Sequence, residues 1–331
     1  MASYARMLTV FALGSALLLG LYAPSSAQSA EAWPTRQITM ITPSSPGSGP
    51  DALGRAMAQR LSAALKQPVI VDNRPGASGV IAINAVAKAK NDGYTLLYSA
   101  ASAAVIWPAV GKAIPYDVMR DLTPVAQTAV GGVLLLVNSQ VPANNLQELI
   151  QLVKADPGKY SYGTWATGSS GHLMMEWLKG KTGMKINHVP YRATTQMLTE
   201  LSAGMLKIGW SDPSAPVPFL RTGKIKGILI SGNVRAPQLP NIPTMKEAGY
   251  NFDAVGWFGI FAPAGTNPAI TKRLSDEVNK IQVSPEMRKL MADLNFEAPP
   301  HKSQEQFHDI VQNDLVIWKK VATDANISVD N

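Results

Sequence analysis

Along most of the chain, short runs of β-branched and aliphatic residues alternate with longer amphipathic stretches, and this alternation restricts the fold more than any other feature. Strands alternating with helices specify an α/β protein. Residues 37–41 read as a strand, and a helix over about 51–65 puts Leu53, Met57, Leu61 and Leu65 on one face at i, i+4 spacing. Further strands are expected at 68–71, 94–98, 134–137, 186–189, 206–210, 225–230 and 257–261. Helices are expected at 80–88, 146–154, 172–179, 268–281, 285–294 and 303–322. Near 125–132 and 253–256, strand-like residues run into glycine, and both segments read as crossings between two lobes. That reading gives a discontinuous domain 1, residues 28–128 with 255–331, and a domain 2 over 129–254.

Arg6, an uncharged apolar stretch over 7–21, and the small residues Ser25, Ser26 and Ala27 form the three-part pattern of a secretory signal peptide. Residues 1–27 are therefore expected to be removed after Ala27, with Ala30 as the fallback position. The apolar stretch is shorter than the roughly 20 residues that span a bilayer. The chain has no cysteine, which excludes a lipid anchor on a mature amino-terminal cysteine, disulfides and thiolate chemistry. An exported chain without disulfides depends on its apolar core, and this one is long enough for two domains. The formal net charge is +7, but the basic residues are dispersed and form no clustered face of the kind that binds nucleic acid. A mildly positive field favours anion capture without establishing it.

Residues that carry chemistry are sparse. The four histidines, His172, His188, His301 and His308, lack the spacing of a metal site on one helix face, so neither a metal nor another cofactor is expected. There is no Gly-x-Ser-x-Gly elbow, and Ser169 with His172 has no visible third, orienting group. Gly47-Ser48-Gly49 follows a strand, but Ala52 stands where a dinucleotide loop carries its third glycine. What remains is a pair of turns rich in Gly, Ser and Thr, over 42–51 and 163–172, each leading from a strand into a helix. Such turns present free backbone N–H groups and hydroxyls at a helix amino terminus, where the dipole favours an anion. Singly they read as ordinary capped connections; two of them, on separate lobes, point to a carboxylate clamp.

Five segments stand in one order: Val71-Asp72-Asn73-Arg74-Pro75-Gly76-Ala77-Ser78-Gly79, Asp92-Gly93-Tyr94-Thr95-Leu96, His188-Val189-Pro190-Tyr191, Pro243-Thr244-Met245-Lys246-Glu247-Ala248-Gly249 and Phe261-Ala262-Pro263-Ala264-Gly265-Thr266. In this series the chain resembles the substrate-binding proteins of tripartite tricarboxylate transporters, the Bug family, over nearly all of its mature length. The resemblance implies a two-domain periplasmic-binding-protein (Venus-flytrap) fold of the α/β class, with the ligand cleft between the lobes. It also implies a small organic carboxylate as ligand, membrane permease subunits as partners, and no catalysis. By position it assigns Ser45, Gly47, Ser48 and Gly49 to the first clamp turn, and Thr164, Trp165, Thr167, Gly168 and Ser169 to the second. Tyr191 and Arg192 join them as candidate ligand contacts, with an interior tyrosine whose hydroxyl is bonded as the other reading of Tyr191. The chain departs from the family at Ser48, Pro50, Trp165, Ala166 and Arg192-Ala193-Thr194, all in the expected pocket.

Asp51 and His172 are assigned to ordering the loops, because a carboxylate in the first turn suits the dipole yet repels a bound anion. Trp165 has two readings: it faces the pocket and suits an aromatic or elongated apolar acid, or it packs on the rim. Two other functions compete with the receptor, an exported serine hydrolase using Ser169 and His172, and a ligand-presenting partner of a sensor kinase.

Overall fold

The computed structural model describes residues 33–111, 113–252 and 254–329. The expected signal peptide lies outside the described residues. In chain order the first elements are β1 (Ile38–Thr42), α1 (Gly49–Leu65), β2 (Val69–Asn73), α2 (Val80–Ala87) and β3 (Thr95–Ala100). A short π-helix (Ser102–Ile106) then leads into α3 (Trp107–Val110), followed by α4 (Val118–Asp121) and β4 (Leu122–Gly131). Next come β5 (Leu134–Asn138), α5 (Leu146–Ala155), β6 (Ser161–Thr164), α6 (Ser170–Thr182) and β7 (Asn187–Pro190). They are followed by α7 (Thr194–Ala203), β8 (Ile208–Ser211), α8 (Val217–Arg221) and β9 (Ile225–Ile230). The last are β10 (Gly256–Pro263), α9 (Pro268–Gln282), α10 (Pro285–Asp293) and α11 (Gln304–Asp324).

The strands form two five-stranded sheets, β2-β1-β3-β10-β4 and β7-β6-β8-β5-β9. Each holds three parallel strands and then one antiparallel strand, β10 or β5, that has just arrived from the other sheet. The chain leaves the first sheet at Gly132 and Val133 and returns to it after the segment that follows β9. The elements expected from the sequence are present, their ends within three residues. The full extent of β4 was hidden by Pro124, which the sheet tolerates because β4 is an edge strand.

Local chemistry accounts for the helix ends that matter here. Ser48 caps α1 by accepting from the Asp51 N–H, and Pro50 occupies the first turn, where its missing N–H costs nothing. Ser169 caps α6 in the same way through the His172 N–H, and α6 stops at Gly183, which takes the left-handed conformation. The apolar stripe of α1 is buried at Leu53, Met57, Leu61 and Leu65. Beside β10, the rings of Trp257, Phe261 and Phe307 pack with centroids 5.3 to 6.0 Å apart.

Where the crossing segments meet, backbone touches backbone. A Cβ on Gly132 would run into the Ser231 carbonyl, and one on Gly256 into the Gly131 carbonyl. Gly132→Ala should therefore cost more than about 2 kcal/mol in chemical unfolding, because no flexible side chain stands in the way to yield. Gly180→Ala, on the exposed face of α6 with open space around it, should instead gain up to about 1 kcal/mol. Equal effects at the two positions would contradict the close approach.

Candidate functional site

The turn after β1 and the turn after β6 both lie at the carboxyl ends of parallel strands that have a neighbour on either side. In open α/β sheets that is where ligands collect. Two cavities open between the sheets there. The larger, about 620 Å³, is lined by Gly47, Ser48, Gly49 and Pro50 of the first turn, by Trp165 and Ser170 of the second, and by Thr194, Thr195 and residues 212–215. The smaller, about 300 Å³, is lined by Ser44, Ser45 and Pro50, by residues 165–169, and by Ser78 and Trp107. Pro50, Ala100, Ser102 and Trp165 line both. Among the described residues no Lys, Arg or His lines either cavity.

The first turn is tied by Asp51, which is only 3% exposed. Its Oδ2 accepts from the Gly47 N–H at 2.9 Å and from Arg55 Nε at 2.9 Å, and its Oδ1 from Asn73 Nδ2 at 2.8 Å. Burial alone would raise this carboxyl, but the hydrogen bonds from Asn73, Arg55 and Gly47 outweigh it and hold the pKa below the ordinary aspartate value. Asn73 also donates to the Ser44 carbonyl, which closes the turn against β2.

The second turn is tied by a hydroxyl and imidazole network. Thr164 Oγ1 donates to the Ala166 carbonyl at 2.9 Å and accepts from Ser169 Oγ at 3.1 Å. Its one hydrogen is thereby used, so His188 Nε2, at 2.7 Å, is the donor to it. His172 Nδ1 accepts from the Gly168 N–H at 3.0 Å, and its ring stacks on His188 with centroids 3.9 Å apart. Burial pushes the pKa of His172 down; burial, with the neighbouring His172 and Lys179, pushes that of His188 to about 3. Both imidazoles are therefore neutral near pH 7. This geometry contains no serine nucleophile with a base: the Ser169 hydroxyl donates to Thr164, and the facing His172 nitrogen is occupied by a backbone N–H.

What the turns leave open are backbone donors. A helix's first turn has N–H groups with no partner inside the helix. Those of Gly49 at the start of α1 and Ser170 at the start of α6 have no acceptor among the described residues, and both residues line the larger cavity. Trp165 stands at the boundary of the two cavities, half-buried, its ring against Gly171 of α6, where a Cβ would lie 3.1 Å from the indole.

The other expected residues are distributed unevenly. Ser45, Thr167, Gly168 and Ser169 line the smaller cavity, while the Thr164 side chain lies beneath the turn in the network just described. Gly168 has φ 76°, and a Cβ there would meet Val110 at 2.9 Å, so glycine is demanded by packing against α3. Tyr191 and Arg192 line neither cavity. The Tyr191 hydroxyl donates to Glu200 at 2.6 Å, and Arg192 is exposed. Ser102, Thr195 and Ser214 line the cleft without having been expected. Ser214 lies opposite Gly49, 3.5 Å from where its Cβ would be.

The sequence model of the tripartite tricarboxylate transporter family receptor matches residues 53–327. The chain belongs to this family. It is 37% identical over 266 residues to protein BugT of Bordetella pertussis, covering 79% of this chain and 80% of that one. Among solved structures, R. palustris Rpa4515 with adipate is 33% identical, with a TM-score of 0.79 over 90% of this chain and all of the other. MatC from Rhodopseudomonas palustris with bound malate is 28% identical, with a TM-score of 0.74 over 87% and 99%. As a member of this receptor family the chain has the two-lobed α/β fold of periplasmic binding proteins. Among the described residues no helix is long and apolar enough to cross a membrane.

Because the native-state pKa of Asp51 lies below its ordinary value, the stability this carboxylate contributes is present above about pH 4 and is lost as pH falls through that lowered pKa. Asp51→Asn should cost about 1–3 kcal/mol at pH 7, as expected for hydrogen bonds to a buried charge. The gap from the parent protein in urea unfolding should narrow as the pH is lowered below 4. A gap independent of pH would show that the charge does not hold the turn.

Proposed function

We propose that this chain is a periplasmic receptor that captures a small organic carboxylate in the cleft between its lobes and delivers it to the membrane permease of a tripartite tricarboxylate-type transporter. The lobes in this reading are the two sheets with their helices, which moves the first crossing from residue 128 to just after Gly131, the end of β4. The observation that carries it is the pair of N–H groups, of Gly49 and Ser170, that have no acceptor among the described residues, at two helix starts on one cavity to which those residues contribute no cationic side chain. Neutral, oriented donors at helix amino termini hold an anion without a salt bridge. The adipate and malate named for the two neighbours are anions of this class.

The ligand carboxylate sits on these donors and on the hydroxyls of the two turns, and the body of the ligand lies against Trp165. An indole face at this boundary favours an aromatic or elongated apolar acid and takes up volume that a branched tricarboxylate needs. Closure follows from binding, since a ligand touching both lobes stabilises the closed state. Ser45, Gly47, Ser48, Gly49, Thr167, Gly168 and Ser169 form the clamp, with Thr164, Asp51 and His172 holding its shape.

A thermal-shift screen of mono-, di- and aromatic carboxylates should raise the melting temperature with at least one of them. Trp165→Ser should then lower affinity for an aromatic acid relative to a small aliphatic one by about two- to tenfold, the equivalent of about 0.5–1.5 kcal/mol. An unchanged ratio removes Trp165 from the ligand's surroundings; no shift with any carboxylate counts against the receptor reading itself.

A further inference from the structure

Gly131, Gly132, Ser231 and Val255 line the cleft on one side and a separate cavity on the other. This second cavity encloses about 530 Å³, within the range of small-molecule sites. Much of its wall is apolar, with Val130, Ile230, Ile310 and Ile317 contributing. Two carboxyl groups interrupt it. Asp314, 5% exposed, has one oxygen on the Trp257 indole N–H at 2.7 Å and no other partner for its carboxyl among the described residues. Glu297, half-buried, is the second. A buried acceptor left without a donor costs about 1–3 kcal/mol, so the cavity favours whatever supplies hydrogens to it. Of the two cations at its edge, Arg235 is held by Glu247 through both carboxylate oxygens, which leaves Lys302.

We propose that this cavity is a binding site for an organic ammonium ion, its nitrogen donating to Asp314 and Glu297 and its apolar body lying along α11 between Ile310 and Ile317. An ammonium group carries three donors and no acceptor, which suits the free oxygen of Asp314 and the carboxylate of Glu297. Burial raises the Asp314 pKa to about 7 despite the Trp257 hydrogen bond, and burial also raises that of Glu297. Binding of the cation therefore strengthens as pH rises and Asp314 ionises.

The test is calorimetric titration of the full chain with hexylamine, a cation throughout the pH range used, and with hexanol as its neutral counterpart. Hexylammonium should bind at least tenfold more tightly than hexanol, and more tightly at pH 8.5 than at pH 6. Asp314→Asn keeps an acceptor for Trp257 and should lose at least tenfold in affinity together with most of this pH dependence, although Glu297, Lys302 and Arg235 still face the cavity. Glu297→Gln, at a half-buried carboxyl, should weaken binding while leaving the melting temperature unchanged or raised, a result independent of how well Asp314→Asn folds. Equal binding of the amine and the alcohol, no heat with millimolar hexylamine, or unchanged affinity in Glu297→Gln would overturn the proposal.

Discussion

The two sheets are held at backbone contact. Gly131, Gly132 and Gly256 stand where the chain passes between them, and at Gly132 and Gly256 a side chain would strike a carbonyl of the adjoining crossing segment. Glycine permits this approach because it has no Cβ. Everything at the site depends on the resulting closeness. It brings α1 and α6, which spring from different sheets, to begin on one cavity, and it sets Gly49 against Ser214 across the gap. A wider crossing would leave two capped helix starts with nothing to share.

Given that geometry, the chemistry of the turns is a matter of which donors are used and which are spared. The ionised carboxylate of Asp51 is spent on the Gly47 N–H, Arg55 and Asn73. Asp212, an acidic residue in the wall of the larger cavity, accepts from the Ser214 N–H, the Ser214 hydroxyl and the Ala215 N–H. Saturating these groups lessens the field they send into the cleft. The spared donors are backbone N–H groups, fixed in direction by helices and costing no side-chain entropy when they engage a ligand. In the proposed reading, with no cation in the wall among the described residues, discrimination among acids falls to shape, and Trp165 is the largest side chain of the two turns.

Much of this was legible in the sequence because periodicity and capping are local. The stripe Leu53, Met57, Leu61 and Leu65 predicted α1 and its buried face, and the helix starts expected at residues 51 and 172 lie close to the observed ones at Gly49 and Ser170. Helix α7 escaped because Ala193 gives it no side-chain cap, although Met197, Leu198 and Leu201 are buried. The π-helix after β3 follows directly from strand residues without a glycine or proline to announce it, so Ser102 went unnoticed. Side-chain direction away from the helix stripes was only partly legible. The Tyr191 hydroxyl turns to Glu200 on the next helix, and His172 turns to a backbone N–H, choices that tertiary packing makes and sequence spacing does not. The resemblance to the family singled out two turns that the structure brings to shared cavities, but it carried no information on which atoms of those turns stay unpaired.

The central claim is that a carboxylate is held by the unpaired N–H groups of Gly49 and Ser170. The most direct measurement follows the backbone amide resonances of the isotopically labelled protein as a carboxylate that raises its melting temperature is added. An amide proton that gains a carboxylate acceptor moves downfield, because a charge-assisted hydrogen bond is short and strong. The account predicts that the Gly49 and Ser170 amides show the largest downfield shifts and that those of Gly47 and Gly168, already bonded to Asp51 and His172, move less. Saturable binding that leaves both Gly49 and Ser170 unmoved would contradict it.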